Sequence, residues 1–440
     1  MLRLTFALML LTLPCLAQDT VRGTPAGPRA ADTVNLRDFA HLAADGDWAP
    51  AIQAAIDAHS TGDPAQVGGT VLFPPGRYPV SGPITLGTDP GQWGLRLIGY
   101  GAALVGTAEL DAFEMGEREP EEEQLGVPIL TIHGVEGIEG GNYLIEGLSF
   151  DREVRRSGVG ISLPMGRGVA KNTTFRSVKV SGQNVGVHIN YHWQIFFSEC
   201  MFRGNDTGMV IQNHGNNIGI VNCTFRRNHH HGLVIGPDRG QWGSNAGHIS
   251  GSIFEANKGY GILLLSSAQT VVTGCYFEHN GNHLGVMTPW EVTIDTNLFW
   301  GYYGHGWRRN EFSDNACVVI QGARRLQMRN NHYARTEAWF RRPDDGERWE
   351  YVPVPPGPQG VREKAPPEPE REDGFTYEQR PVAIMIAGTL AGELVLDARP
   401  TVHHEAEIVT TAIAKDTGLS YYRYDEATNS FEERSLLPDG

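Results

Sequence analysis

Between residues 142 and 342 one phrase returns: Ile-x-x-(Cys/Ser)-x-Phe-x-x-Asn, a short polar stretch, then Gly followed by alternating apolar residues. It is plainest in Cys223-Thr224-Phe225-Arg226-Arg227-Asn228, leading to Gly232-Leu233-Val234-Ile235, and in Ser252-Ile253-Phe254-Glu255-Ala256-Asn257, leading to Gly261-Ile262-Leu263-Leu264. The apolar anchor falls at Phe150, Val180, Phe202, Phe225, Phe254, Phe277, Phe299 and Tyr333, at intervals of 30, 22, 23, 29, 23, 22 and 34 residues. A minimum near 22 with additions and no deletions describes one turn of fixed circumference whose loops lengthen. A unit of that size cannot bury its own apolar face, so the units must stack.

Leucine-rich repeats share the period, but their Leu and Asn spacing is absent. Short period-2 strands rich in Val, Ile and Phe, punctuated by Gly and Asn, fit an all-β parallel β-helix, a solenoid of coils about 22 residues long stacked at roughly 4.8 Å. Composition agrees: 54 Gly and 26 Pro in 440 residues, with 20% charged and 40% apolar side chains, argue against disorder and against a helical bundle. Stacking turns equivalent positions into ladders. Cys200, Cys223 and Cys275 fall on one of them, so they and Cys317 are expected as buried free thiols rather than disulfides.

The flanks supply the remaining divisions. Residues 1–17 have the basic, apolar and small-residue parts of a secretory signal, Arg3, Leu4 to Leu13 and Ala17, too short to span a bilayer. No other segment is long and apolar enough to cross a membrane, so a soluble periplasmic or secreted protein is expected. Residues 18–66 hold a capping helix over Trp48 to His59, with Asp47 as its cap and Ile52, Ala55 and Ile56 on one face. The solenoid then runs over 67–400, with insertions at 300–316 and 334–381, the second carrying a Pro- and Glu-rich surface excursion from Pro353 to Glu370. Residues 401–440, with Tyr421, Tyr422 and Tyr424 alternating, are expected to cap the far end.

Three stretches, Val34-Asn35-Leu36-Arg37-Asp38-Phe39, Ala51-Ile52-Gln53-Ala54-Ala55-Ile56-Asp57 and Gly69-Thr70-Val71-Leu72-Phe73-Pro74-Pro75-Gly76-Arg77-Tyr78, resemble the opening of the pectate-lyase-like superfamily. The motif likeness covers residues 34 to about 106, and the coil pattern continues to about 400. The resemblance implies a right-handed parallel β-helix whose coils each have a tight turn, a short strand, a longer turn and a strand flooring a carbohydrate cleft. Here Asn222 becomes the tight turn, Cys223 to Phe225 the short strand, Arg226 to His231 the long turn and Gly232 to Ile235 the floor. That superfamily includes lyases, hydrolases, epimerases and phage tailspikes, so the fold leaves the reaction open.

On this mapping the long turns form one wall. Just before the floor the ladder reads Thr207, His231, Tyr260 and His283; one or two positions earlier stand Asp206, His229 and Lys258, and directly after the anchors stand Arg203, Arg226, Glu255 and Glu278. β-Elimination from a uronate needs its carboxylate neutralised, a base for the C5 proton and an acid for the leaving oxygen. The expected assignment is therefore His231 or Tyr260 as base and acid, Arg226 and Lys258 completing the catalytic set, and Arg227 with the cations holding the carboxylate. His229, His283, Trp307, Arg308, Glu255 and Glu278 line the substrate. Calcium held by Asp206, Glu255 and Glu278 is compatible with that wall, but no cofactor is demanded. His229-His230-His231 lacks the intervals of a zinc motif, so no metal site is assigned. The Asn at 205, 228, 257, 280 and 315 are read as turn formers rather than ligands.

Two alternatives stay open. Glu255 and Glu278, on neighbouring coils, suit a glycoside hydrolase. A non-catalytic carbohydrate-binding or tailspike-like β-helix would rest on aromatic platforms instead. The net charge of −15 disfavours nucleic acid and anionic membranes as partners. Residues 142–342 nevertheless hold 20 Lys and Arg against 13 Asp and Glu, a net of +7, leaving −22 on the rest. The coils thus suit an anionic polysaccharide; the oligomeric state is not legible.

Overall fold

The computed structural model describes residues 33–301, 317–352 and 372–390 with gaps at 64–67, 114–124, 135–140, 165–169, 213–214, 237–243, 324, 335 and 348, and beyond these the segments 394–396, 407–410, 420–425 and 430–435. The signal segment, the residues up to 32, Trp307, Arg308, Asn315 and the stretch 353–371 lie outside the described residues.

Among the described residues, three sheets of 13, 13 and 10 strands, parallel except for the antiparallel strands of the insertion, run along a solenoid. Each coil contributes a long strand to a back sheet, such as Gly215–Val221, a three-residue strand to a side sheet, such as Thr224–Arg226, and a strand to the floor sheet, such as Leu233–Ile235. The corners are set by single residues in the left-handed region: Ser177, Glu199, Asn222 and Thr296 between back and side sheets, and Arg227, Ala256 and His279 after the side sheet. One residue of opposite twist turns the chain sharply without breaking the coil-to-coil bonds on either side.

Every anchor read from the sequence stands in register. Phe150, Val180, Phe202, Phe225, Phe254, Phe277, Phe299 and Tyr333 pair successively across the side sheet. Their rings stack inside the coil, with centroids 4.7 Å apart for Phe202 and Phe225, 4.8 Å for Phe225 and Phe254, and 5.2 Å for Phe299 and Tyr333. These spacings are the coil rise itself, so aromatic stacking and strand pairing reinforce one another.

The asparagines are not themselves the left-handed turn residues: Gly204, Arg227, Ala256 and His279 take that conformation, and Asn205, Asn228, Asn257 and Asn280, each one residue on, form a buried amide ladder. Asn228 Nδ2 donates to Asn257 Oδ1 at 2.8 Å and Asn257 Nδ2 to Asn280 Oδ1 at 2.8 Å, while Asn257 Nδ2 also reaches the Phe225 carbonyl. Beside this ladder runs a glycine row, Gly186, Gly208, Gly232 and Gly261. A Cβ on Gly232 would lie 2.5 Å from the Gly261 carbonyl oxygen and 3.1 Å from Asn257 Nδ2, so no side chain fits there. Cys200, Cys223 and Cys275 are buried free thiols on their own row, as is Cys317 elsewhere in the interior. Asn297 and Asn331 continue the Cys row: Asn297 Oδ1 accepts from Cys275 N, and Asn331 Oδ1 from Asn297 N.

At the N-terminal end the helix Ala49–Asp57 lies on the solenoid, with Ala51, Ile52, Ala55 and Ile56 fully buried and Asp47 Oδ1 accepting from Ala49 N. The insertion after Ala334 is not wholly an excursion. Its Glu337–Pro343 strand pairs antiparallel with the first half of Phe375–Leu390, whose second half joins the floor sheet. Ser420–Asp425 and Ser430–Ser435 form an antiparallel pair in the C-terminal segment.

Candidate functional site

The side-sheet residues that follow the anchors face outward. Arg203, Arg226, Glu255, Glu278 and Trp300 occupy matching positions on successive coils. Arg226 Nη2 sits 3.0 Å from Glu255 Oε1, and His279 Nδ1 lies 3.7 Å from Glu278, which also accepts from Tyr276. Arg227, His229 and Lys258 are half-buried on the turn that follows. Together they make an accessible, mostly basic band, one coil after another.

The rings assigned to acid and base chemistry are placed differently, and three expectations are corrected. Tyr260 is fully buried in an apolar cluster with Val234, Leu263 and Cys317, and burial pushes its phenol well above the usual range. His283 lies inside the coil, its ring centroid 6.1 Å from Phe277 and 5.9 Å from Phe299, with Asn280 Nδ2 donating to Nδ1 and burial pulling its pKa down to about 3. It stands in the glycine row next to Gly261. His231 is buried, and its Nδ1 accepts from the Tyr260 backbone N–H at 2.9 Å, which fixes the neutral tautomer with the proton on Nε2. His231 and Tyr260 stand directly ahead of the glycine row and His283 within it, and all three side chains pack into the interior rather than onto the wall.

The floor is corrected too. Its row Val210, Val234, Leu263 and, past Gly285, Val319 is buried, in one cluster with Ala338 and Phe340 of the insertion and with Val382. An apolar stripe of that length would be a liability if open to water, and the ribbon from the insertion covers its later coils. In earlier coils the same row is polar: Ser162, then His188, whose Nε2 lies 2.7 Å from Gln212 Oε1.

Between the basic band and this polar stretch, at the leading edge of the floor sheet, lies a row not singled out from the sequence. The register places Gly158, Asn184, Asp206, His230 and Gly259 at one position on five successive coils. The backbone bonds agree, His230 N donating to the Asp206 carbonyl at 2.7 Å and Gly259 N to the His230 carbonyl at 2.5 Å. Arg156 Nη1 approaches Asp206 at 3.9 Å. Asn184 Oδ1, His230 Nδ1 and His231 Nε2 are all buried without a hydrogen-bond partner. Buried polar atoms of this kind are costly unless a ligand or water satisfies them. Gly259 closes one end, since a Cβ there would be 2.6 Å from His231 Nδ1.

His230 is the imidazole of the row, itself buried. Its ring stacks on His231 with centroids 3.8 Å apart, and burial lowers its pKa to about 4, so it is a neutral imidazole at pH 7. The signal in the sequence was the mismatch of Asn184, Asp206 and His230 with the glycines on either side, visible once the coils are aligned on their Gly row. For calcium the residues do not fit: Asp206 faces Arg156, Glu255 faces Arg226, and among the described residues no three acidic, imidazole or thiol side chains converge on one point.

The family described as right handed beta helix region matches residues 133–299. That match and the stacked parallel sheets agree on a right-handed parallel β-helix. No curated protein matches the sequence closely enough to serve as a relative. Solved structures similar to it include ORF18 of Geobacillus virus E2, at 15% identity over 92% of this chain and 86% of that one with a TM-score of 0.47. A mannuronan C-5 epimerase module of Azotobacter vinelandii is similar at 16% identity over 87% and 99%, TM-score 0.43. A pectate lyase is similar at 15% identity over 61% and 71%, TM-score 0.34. The right-handed β-helix is a fold on which lyases, epimerases, hydrolases and phage proteins are all built, so the reaction has to be argued from the side chains.

Proposed function

We propose that this β-helix is an exported polysaccharide lyase that cleaves a uronate-containing polymer by β-elimination, with the leading-edge row as its reactive centre. The observation that carries this reading is His230: a neutral imidazole with an unpartnered Nδ1, one coil from the Asp206 carboxylate, beside Arg156 and the Arg226, Arg227 and Lys258 band. The cations hold and neutralise the uronate carboxylate, which acidifies C5–H. His230 Nδ1 takes the C5 proton, the electron pair forms the C4–C5 double bond, and the C4–O bond breaks, the leaving oxygen taking its proton from solvent water. His231, held in one tautomer by the Tyr260 amide, positions the His230 ring by stacking on it. Residues 1–17 serve as the export signal in the same proposal.

A second reading rests on Glu255 and Glu278. Directly paired across the side sheet, they stand one coil apart, close to the roughly 5 Å of a retaining carboxylate pair, which suits a hydrolase. Purified protein incubated with alginate, pectate and glycosaminoglycans separates the two. Unsaturated-uronate absorbance supports the lyase, and new reducing ends without it support the hydrolase. Binding with neither product leaves a carbohydrate-binding solenoid and ends the enzyme reading.

A further inference from the structure

The back sheet faces away from the row just described, and its outer surface carries two exposed aromatic rings. Trp193 is 44% and Phe196 40% exposed, on one strand. Simple alternation would put them on opposite faces. Gln194, with φ of 60°, resets it: Ile195 points into the core and both rings point out. The same left-handed position recurs at Asn172, Asn217, Ala246 and Gln269, so the corner belongs to the coil and the aromatics are what this coil adds.

The two strand rows that hold the rings carry no carboxylate, the nearest acid on this strand being Glu199 at the corner that follows it. Lys171 Nζ lies 5.1 Å from the Trp193 ring centroid, Asn216 follows Trp193 on the next coil, and His248 is exposed in the Phe196 row. Between Phe196 and His248 stands Gly219, where a Cβ would come within 2.6 Å of Phe196 Cδ1, so the ring lies down across the neighbouring coil. From the coil of Lys171 to that of His248 neither row contains a carboxylate. In a chain of net charge −15, an acid-free patch of two rings, an ammonium and amides is complementary to an anionic glycan. Rings give flat apolar faces for pyranose C–H groups, amides meet hydroxyls, and Lys171 meets a carboxylate. Three strand residues separate the rings by roughly 10 Å, enough for about two sugar units.

We propose that the outer face of the back sheet is a polymer-docking platform, built on Trp193 and Phe196, that holds a uronate-containing glycan away from the leading-edge row. It stands apart from the catalytic reading because binding is measured without turnover. The test is affinity electrophoresis and calorimetry of wild-type protein, the Trp193→Ala/Phe196→Ala double variant and Lys171→Ala on alginate and polygalacturonate. The double variant should bind at least tenfold more weakly with an unchanged melting temperature, and Lys171→Ala should reduce the salt dependence of binding. Unchanged binding by the double variant, or no binding by the wild type, overturns the platform whether or not turnover is seen. So does a wild-type dimer that the double variant turns into a monomer by light scattering, since the patch would then be a seam between copies. Polymer binding without any turnover supports the platform while removing the lyase.

Discussion

Two rows run side by side along this solenoid and could hardly differ more. The asparagine ladder presents the same side chain on coil after coil, each amide bonded to the next, with every polar atom spoken for. A few residues further on, the leading-edge row presents Gly158, Asn184, Asp206, His230 and Gly259, with several buried polar atoms left unpartnered. In a stacked fold, uniformity along the axis is what stability selects, because identical neighbours satisfy one another. A row that varies, and leaves hydrogen-bonding capacity unused, forgoes that stability and invites a functional explanation.

The contrast can be broken from either side. Asn257→Ala should cause the largest change. It strips partners from the Asn228 amide, the Phe225 carbonyl and Asn280, and leaving such buried groups unsatisfied costs on the order of 3–5 kcal/mol in urea denaturation. A loss below about 1 kcal/mol would remove the ladder from the account of stability. His230→Asn should do the reverse, lowering lyase activity at least a hundredfold while the melting temperature at pH 7 stays within a few degrees. Activity within tenfold of wild type would sink His230 as the base.

Acid sharpens the same contrast. The native His230 ring refuses a proton until about pH 4, whereas the unfolded chain takes it near 6.5. Unfolded protein therefore binds more protons across that window, and stability should fall as pH drops through it, by up to about 3 kcal/mol from this group. Buried His231 and His283 add in the same direction. Urea midpoints taken from pH 6.5 down to 4.5 should decline less steeply in His230→Asn than in wild type; parallel slopes would exclude the ring as a contributor. The smallest effect belongs to the exposed band. Arg226→Ala breaks the half-exposed pair with Glu255 and should cost less than about 1 kcal/mol of stability, yet weaken polymer binding in a salt-dependent way.

Much of the fold is legible in the sequence because the ladders repeat one residue type. The anchors, the asparagines, the thiols and the capping helix all follow from periodicity and local chemistry. The wall was legible in its charged members, since Arg226, Glu255 and Glu278 directly follow the anchors on strands whose facing is fixed by alternation. It was not legible in its rings. His229, His230 and His231 lie in a turn that ends at the glycine row, where alternation does not say which side chain faces where. Three consecutive histidines therefore cannot be told apart by pattern: His229 is half-buried, His230 and His231 are buried and stacked, and His231 alone is tied down by a backbone bond. His283 misled for a related reason, since it occupies a position that preceding coils give to glycine.

The anchor spacing has a practical consequence. Phe277 and Phe299 are 22 residues apart, Phe299 and Tyr333 are 34 apart, and yet their ring separations are 4.8 and 5.2 Å. The coil keeps time by its rings and ladders rather than by counting residues, so added chain between beats leaves the next beat in place. A fluorophore-bearing peptide or a whole reporter module spliced between Trp300 and Cys317 should leave the coils on both sides in step, which makes that interval a natural socket for attaching probes.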